Sequence, residues 1–523
     1  MKAVVMEESY YSERQGVERS QYLPGPDSIE VMLEQAFACL EENCHAEAAA
    51  IYEEVLKVET DNIQAGFNLG LIRRMNGDLP EAISCFRTVL EQDPDNLEVL
   101  TRLGDAYRDQ GWWEQAAATY RRALTREPRN VEVNFSLGLV NYHLGESAAA
   151  IRCYRKTVEL DRFHADAYYN LGIVHFEQGD YDQAAQSYEQ ALDARPDDID
   201  THYNLAVTRS GQGDFAGAVV HYRDALELDP DDAELHNALG VIYRQLDELE
   251  KAEACYRRAI TLRSDYGAAF TNLAVVLQAG DRIEEAIDCY AMAIELGHQP
   301  ESAEYMIAAL SGTDRDSAPR DYVRALFDSY ADNFDHSLTR KLGYNSPALL
   351  REMAGGVLSP AKKFRKGVDL GCGTGLVGSC FRDITDHLIG VDLSAKMLDK
   401  AAAKDVYDEL YCADILEFLA DADTGFDLVV AADVLIYIGA LEPFFAAVRK
   451  CLAPYGYILL TVEKHEGAGD RRLRASGRYA YASEYLERLA DIHGLTVKDC
   501  REVDLRKEKE QWLRGGLFVL QAN

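Results

Sequence analysis

What this chain lacks already excludes several classes of protein. No apolar run approaches the roughly 20 residues that a helix needs to cross a bilayer, so no membrane span is expected. Residues 1–28 have neither a basic start nor an apolar core. With Glu7, Glu8, Glu13 and Glu18 they read as a mobile leader and not as a secretory signal. Basic residues are sparse in the first 320 positions, which carry −30 of the formal net charge of −35. Such a surface does not suit a phosphate backbone, so no nucleic-acid partner is expected. It suits solubility, or a basic partner. None of the eleven cysteines falls in a Cys-x-x-Cys, no metal site is expected, and a reducing cytoplasm is the natural compartment.

What is present is long and ordered. With 523 residues the chain exceeds a single hydrophobic core. Cys85, Cys153, Cys255 and Cys289 are separated by 68, 102 and 34 residues, all multiples of 34. They mark one small, packed position of a repeat. In the unit that begins at Ala165, Leu171, Gly172, Gly179, Tyr181, Ala184, Tyr188, Ala191 and Pro196 stand at positions 7, 8, 15, 17, 20, 24, 27 and 32. The next unit repeats this with Leu205, Ala206, Gly213, Phe215, Ala218, Tyr222, Ala225 and Pro230. Eight such units fill residues 29–300. Each reads as two antiparallel helices. Small residues at 8, 20 and 27 allow close approach, glycine at 15 serves the turn, and proline at 32 ends the second helix.

These positions resemble the tetratricopeptide (TPR) family. The resemblance implies an all-α right-handed solenoid whose groove binds a protein or peptide. Position 6 on the first helix is Asn68, Asn170, Asn204 and Asn272. An asparagine ladder there can pair with the backbone of an extended peptide, in a way similar to O-linked N-acetylglucosamine transferases. Asparagine is also a frequent residue at that position, and Arg102, Ser136 and Ala238 break the ladder. Residues 301–319 are expected to be a short linker, turn-rich from Ser311 to Pro319.

From about Lys366 the pattern changes to short β-rich runs between helices, as a parallel sheet requires. Strands are expected at 367–370, 388–392, 409–412, 426–431, 456–462, 496–505 and 515–520, the last two as a hairpin. The run Val368-Asp369-Leu370-Gly371-Cys372-Gly373-Thr374-Gly375 reads as a strand leading through a glycine turn into a helix. Asp392 ends the next strand, where a ribose hydroxyl would need an acceptor. A dinucleotide dehydrogenase would want Gly-x-Gly-x-x-Gly, and the glycines here stand at 371, 373 and 375.

Residues 320–523 resemble a class I S-adenosylmethionine-dependent methyltransferase, an α/β Rossmann-like fold with seven strands. The resemblance implies S-adenosylmethionine as cofactor, held by Asp369, Gly371, Cys372, Gly373 and Asp392. It places Leu393 and Met397 beside the adenine, Asp414 and Ile415 at its amino edge, and Ala431 at the methyl donor. The segment Phe327-Asp328-Ser329-Tyr330-Ala331-Asp332-Asn333-Phe334-Asp335 resembles the lid of the malonyl-carrier-protein and ubiquinone-biosynthesis methyltransferases. Tyr330 and Phe334 would cover the cofactor there, or join this helix to the core. The whole arrangement is similar to a bacterial group of TPR-containing methyltransferases.

A hydroxyl or ammonium acceptor would need a base, and Asp433, Tyr437 and His465 are the candidates; a carboxylate would need none. Asp433 has a helix-capping reading and His465 an exposed-loop reading beside these roles. Arg471, Arg472, Arg474 and Arg478 could grip an acidic substrate, dock onto the acidic repeats, or form a solvated loop. Three functions stay open. The repeats could recruit a protein substrate, they could scaffold methylation of a small or carrier-bound molecule, or the chain could sense the donor without turnover.

Overall fold

A computed structural model describes residues 29–331, 334–336, 338, 342–358, 362–422, 425–508 and 511–523. The expected leader lies outside them. The chain divides into two compact units, 1–228 and 229–523.

The first unit holds six helix pairs, from Ile29–Glu41 and His45–Val58 to Ile199–Gly211 and Phe215–Leu228. The turn inside each of five pairs is made by a glycine at repeat position 15, Gly77, Gly111, Gly145, Gly179 or Gly213, with φ between +75° and +82°. Asn43 takes the same left-handed conformation in the most N-terminal pair. The small residue at position 8 faces the aromatic ring at position 24. A Cβ on Gly104 would come within 2.5 Å of Tyr120, and one on Gly172 within 2.4 Å of Tyr188. The two positions are thus one steric choice, small against large.

The second unit holds two more helix pairs, between Ala233 and Glu295, a helix at Pro300–Ser311, and one nine-stranded sheet with its helices. Its strands are β1 (Phe364–Leu370), β2 (Thr385–Asp392), β3 (Glu409–Cys412), β4 (Phe426–Ala431), β5 (Leu452–Lys464), β6 (Arg471–Leu473), β7 (Tyr479–Tyr481), β8 (Leu495–Glu508) and β9 (Gln511–Ala522). Seven of them follow the order β3-β2-β1-β4-β5-β9-β8, with β9 antiparallel to β5. The C-terminal halves of β1 and β4 are continuously buried, as befits strands covered on both faces. The order reverses between β1 and β4, which opens a crevice at their C-terminal ends.

Two expectations are corrected here. The sheet has nine strands and not seven, because the arginine-rich run expected as a loop forms the β6–β7 hairpin, and β7 extends the end of β5 through Glu463 and Lys464. Residues 301–311, assigned to the linker, lie in the helix Pro300–Ser311, with Ala303, Tyr305, Met306, Ala308 and Ala309 buried. Apolar spacing on that stretch is what a core helix needs, and its turn-rich part begins only at Gly312.

The core explains the division at residue 228. Tyr256, Leu273, Leu277 and Tyr290 of the last two helix pairs belong to one apolar cluster with Tyr305, Tyr479, Phe445 and Leu460. Gln278 Nε2 donates to the Ala475 carbonyl at 2.8 Å, and Tyr305 Oη to the Gly477 carbonyl at 3.0 Å. The linker is tied down by Arg471, which pairs with Asp314 at 3.0 Å, and by Tyr479 Oη, which donates to the Arg315 carbonyl at 2.8 Å. Replacing Tyr305 with phenylalanine leaves a buried carbonyl without its partner. A loss of about 1–2 kcal/mol is expected, read as a lower midpoint in urea with an unchanged slope.

Candidate functional site

β1 delivers Leu370 to the crevice, and the chain then turns over Gly371, Gly373 and Gly375, with φ of +72°, +52° and +89°. All three lie in the left-handed region that side chains disfavour. A Cβ on Gly371 would sit 2.6 Å from Val434, in the loop after β4. At Gly373 the nearest atom to an added Cβ belongs to the Phe334 ring, 3.8 Å away, so this part of the turn is open except for that ring.

Asp392 closes β2 and is only 9 % exposed. Its Oδ2 accepts from the Gly373 N–H at 2.8 Å and its Oδ1 from the Ser394 N–H at 2.9 Å. Burial pushes its carboxyl above the usual range against these backbone donors, with the Asp328 charge acting in the same upward direction. The glycine turn and the second-strand acid are therefore one hydrogen-bonded assembly.

Asp369 lies beneath it, fully buried. Its Oδ2 accepts from Tyr407 Oη at 2.6 Å, and its Oδ1 has no partner. Burial pushes this carboxyl up to about 7; the Tyr407 bond opposes the rise and the Asp392 charge adds to it. Tyr407 also accepts from the Gly378 N–H at 3.2 Å, so one phenol fixes both the acid and the following helix.

The segment over the turn is anchored by a repeated Phe-Asp pair. Phe327 and Phe334 contact each other at 6.1 Å between centroids, and Phe327 meets Tyr437 edge-on at 5.5 Å. Asp328 accepts from Ser394 Oγ, and Asp335 accepts from Thr374 Oγ1 and, at 2.7 Å, from Lys404 Nζ. Asp332 and Asn333 of the expected lid lie outside the described residues. Tyr330 is 53 % exposed, and the ring that meets Phe334 is Phe327. The repeated Phe-Asp was visible in the sequence; its division of labour, rings to each other and acids to the turn, was not.

The other expected cofactor contacts divide. Cys372 and Ile415 are nearly covered, and Leu393 is half-buried. Met397 and Ala431 are fully buried and present no side-chain surface. Asp414 caps the helix Ile415–Asp421 by accepting from the Leu416 and Glu417 N–H groups, and its other oxygen lies 3.3 Å from Arg320.

The three base candidates are all engaged. Asp433 sits at φ +55° after β4, accepts from Thr461 Oγ1 at 2.7 Å, and pairs with Arg506 at 2.8 Å. It caps no helix; a buried arginine claims it. Tyr437 is half-buried and meets Phe327 edge-on, and burial raises its phenol further above the ordinary value, so it gives up its proton less readily than a free tyrosine. His465 spends both ring nitrogens on its own loop, Nδ1 on the Gly467 N–H at 3.3 Å and Nε2 on the Ala468 carbonyl at 3.2 Å.

Arg506 leads to a network that sequence reasoning missed. Glu463, fully buried at the end of β5, accepts from Arg474 at 3.1 Å, Arg478 at 2.8 Å and Arg506. Arg474 also borders a cleft of about 510 Å³, lined by Lys464, His465, Arg472 and Arg514 among others.

A family model described as methyltransferase domain matches residues 368–460. Models described as tetratricopeptide repeat match residues 40–96, 73–121, 144–199 and 233–266, and one described as TPR repeat matches 104–145 and 211–247. The chain carries tetratricopeptide repeats and a methyltransferase domain. Its curated relatives include a malonyl-[acyl-carrier protein] O-methyltransferase of Enterobacter lignolyticus (strain SCF1), 29% identical over 133 residues, 25% of this chain and 53% of that protein. A ubiquinone biosynthesis O-methyltransferase of Brucella ovis is 30% identical over 124 residues, 23% of this chain and 48% of that protein. The chain thus spans about half the length of the curated relatives it matches. Among solved structures, MamA is 31% identical with a TM-score of 0.31, covering 32% of this chain and 97% of MamA.

In the tetratricopeptide repeats the four expected groove asparagines are half-buried, and each amide already donates within the protein. Asn68 donates to Tyr52 Oη at 3.1 Å, Asn170 to the Asp166 carbonyl at 2.7 Å, Asn204 to Tyr169 Oη at 3.0 Å and Asn272 to Asn237 Oδ1 at 3.0 Å. Each amide has two N–H donors and an acceptor oxygen, so one internal bond fixes its orientation and leaves capacity for a peptide in the groove.

Proposed function

We propose that the chain is an S-adenosylmethionine-dependent methyltransferase whose repeats recruit the protein or peptide that carries the acceptor. The observation that carries the donor assignment is the Gly373–Asp392–Ser394 assembly. A carboxylate offers about four lone-pair sites, and two backbone donors leave room for ribose hydroxyls. The orphaned Oδ1 of Asp369 fits the same donor, because an ammonium group placed there would balance a buried charge that now lacks a partner. When bound, the donor supplies a methyl group on a sulfonium, open to in-line attack.

The residues of the chain would then act as follows. Asp392 and the glycine turn bind and orient the nucleoside, Asp369 holds the amino group, and Phe327 and Phe334 exclude water. With Asp433, Tyr437 and His465 all engaged, we infer an acceptor that is already nucleophilic at neutral pH, a carboxylate. The cleft at Lys464, Arg472, Arg474 and Arg514 also carries Glu466, and Lys464 and Arg474 are paired with Glu502 and Glu463; its surplus of cations still suits an acid better than an amine. The transfer is therefore proposed to give a methyl ester.

Calorimetric titration of the full chain with S-adenosylmethionine tests the donor. Asp392→Ala is expected to weaken binding by about an order of magnitude or more, since a buried charged acceptor is removed. No heat from the native protein ends the proposal. The acceptor is tested by following the methyl label. A protein-bound methyl ester is cleaved by mild alkali with release of methanol, whereas a methylated amine is stable. The names of the curated relatives favour a second reading, in which the acceptor is carrier-bound or a small precursor. Methyl transfer by the full chain into a small-molecule extract, unchanged when the groove asparagines are replaced, supports that reading.

A further inference from the structure

We propose that the sixth helix pair binds a divalent transition-metal ion, Zn²⁺ by preference, between His202, His221 and Asp224. His202 lies on the helix Ile199–Gly211, and His221 and Asp224 stand one turn apart on the helix Phe215–Leu228. One ligand atom from each of the three falls within 4.8 Å of the others. His202 Nδ1 is 3.9 Å, and His221 Nδ1 3.6 Å, from Asp224 Oδ2. Zinc bonds of about 2.0–2.1 Å in a tetrahedron put neighbouring ligand atoms roughly 3.3 Å apart, so the two imidazole–carboxylate edges must close by roughly 0.6 and 0.3 Å, and the imidazole–imidazole edge closes from within 4.8 Å.

The two imidazoles are prepared for this. His202 is 8 % exposed, and its Nε2 bonds the Pro196 carbonyl at 3.0 Å. A carbonyl can only accept, so Nε2 carries the proton and Nδ1 is a bare lone pair. That Nδ1 and the Nδ1 of His221 are both buried without a hydrogen-bond partner. The nearby Arg209 is occupied by Glu189 and Gln212.

The repeat shows that the fold does not demand these residues. Position 4 has a structural task, bonding the carbonyl of the preceding repeat's proline. His236 does this to Pro230 at 3.0 Å, and Asn134 does it to Pro128 at 3.2 Å. An asparagine therefore suffices. Position 23 is Cys85, Thr119, Cys153, Ser187, Cys255 and Cys289 in six other units and Ile51 in the most N-terminal one, and only the sixth unit places a histidine there. Only this unit joins His at 4, His at 23 and Asp at 26. Two nitrogens and a carboxylate suit a borderline cation such as Zn²⁺, and three protein ligands leave a fourth position for water.

The test uses the full chain, stripped with chelator, reduced without thiols, and titrated with Co²⁺ and then Zn²⁺. One equivalent of Co²⁺ is expected to give visible d–d absorption without a thiolate-to-cobalt band, and Zn²⁺ should displace it and raise the melting temperature. His202→Asn keeps the carbonyl bond, as Asn134 does, but removes the ligand. Asp224→Asn changes a partly exposed residue and no core packing. Each is expected to weaken metal binding at least about tenfold, while His236→Asn leaves it unchanged. Absence of saturable Co²⁺ binding, a thiolate band, or equal affinity in a folded His202→Asn or Asp224→Asn protein would overturn the proposal.

Discussion

Replacing Glu463 with alanine is expected to cost the 229–523 unit about 3–5 kcal/mol, the range measured when one partner of a buried ion pair is removed. Glu463 is fully buried and serves Arg474, Arg478 and Arg506. Arg506 is itself 7 % exposed and would keep only Asp433. Arg478 would keep Glu508 at 2.7 Å, and Arg474 would keep the Lys464 carbonyl at 2.6 Å. The loss therefore falls mainly on Arg506, whose charge is the hardest to rehydrate. Glu463→Gln retains an acceptor while losing the charge, and should cost less than half as much. Hydrogen exchange in β4, β5 and β9 reads the effect where it arises; protection unchanged in Glu463→Ala would refute this account of the network.

The second large effect is a dependence on pH at Asp369. Its folded-state value of about 7 lies above the roughly 3.9 of an unfolded aspartate, so the native protein holds this proton longer than the unfolded chain does. The associated stability is fully present below about pH 4 and is lost as pH rises through about 7, a difference of the order of 4 kcal/mol. Asp369→Asn removes that slope. The variant should match the native protein near about pH 4 and exceed it above about pH 7, while binding S-adenosylmethionine more weakly, since an amide cannot balance an ammonium. Thermal unfolding of both proteins across this range decides it. Parallel curves would show that Asp369 is ionised at ordinary cost. The expected pattern would mark a site that gives up stability for binding.

Much of this was legible in the sequence for physical reasons. A 34-residue period is read directly because one steric solution, glycine or alanine against an aromatic ring, recurs in every unit. The strands β1, β2, β4 and β5 announced themselves as apolar runs because most of their length is buried, whereas the edge strand β3 is largely exposed; Asp392 could be placed because a strand end and a glycine turn have fixed spacing. The β6–β7 hairpin was hidden by its arginines. Their partners, Glu463, Asp314 and Glu508, come from elsewhere in the chain, and no local pattern shows that a charged run will be neutralised in the interior. Tyr437 was chosen for its chemistry and is made a poorer base by burial that only the tertiary structure contains, whereas His465 is held by its own loop, at Gly467 and Ala468. Tyr407 and Lys404, which hold the site from below and from the side, lie in a stretch whose sequence carries no motif.

The core shared by the last two helix pairs and the sheet has a consequence for how this molecule can be taken apart. A fragment that began at residue 301, where the repeats end by sequence, would strip Tyr256, Leu277 and Tyr290 from the cluster around Tyr305 and Tyr479, and one that began at 320 would remove Tyr305 as well; either would uncover apolar surface and invite aggregation. The last two repeats are thus part of the foundation on which the sheet rests. Exchanging repeats, by evolution or by hand, is therefore constrained in those two, whose buried faces answer to the sheet as well as to their neighbours.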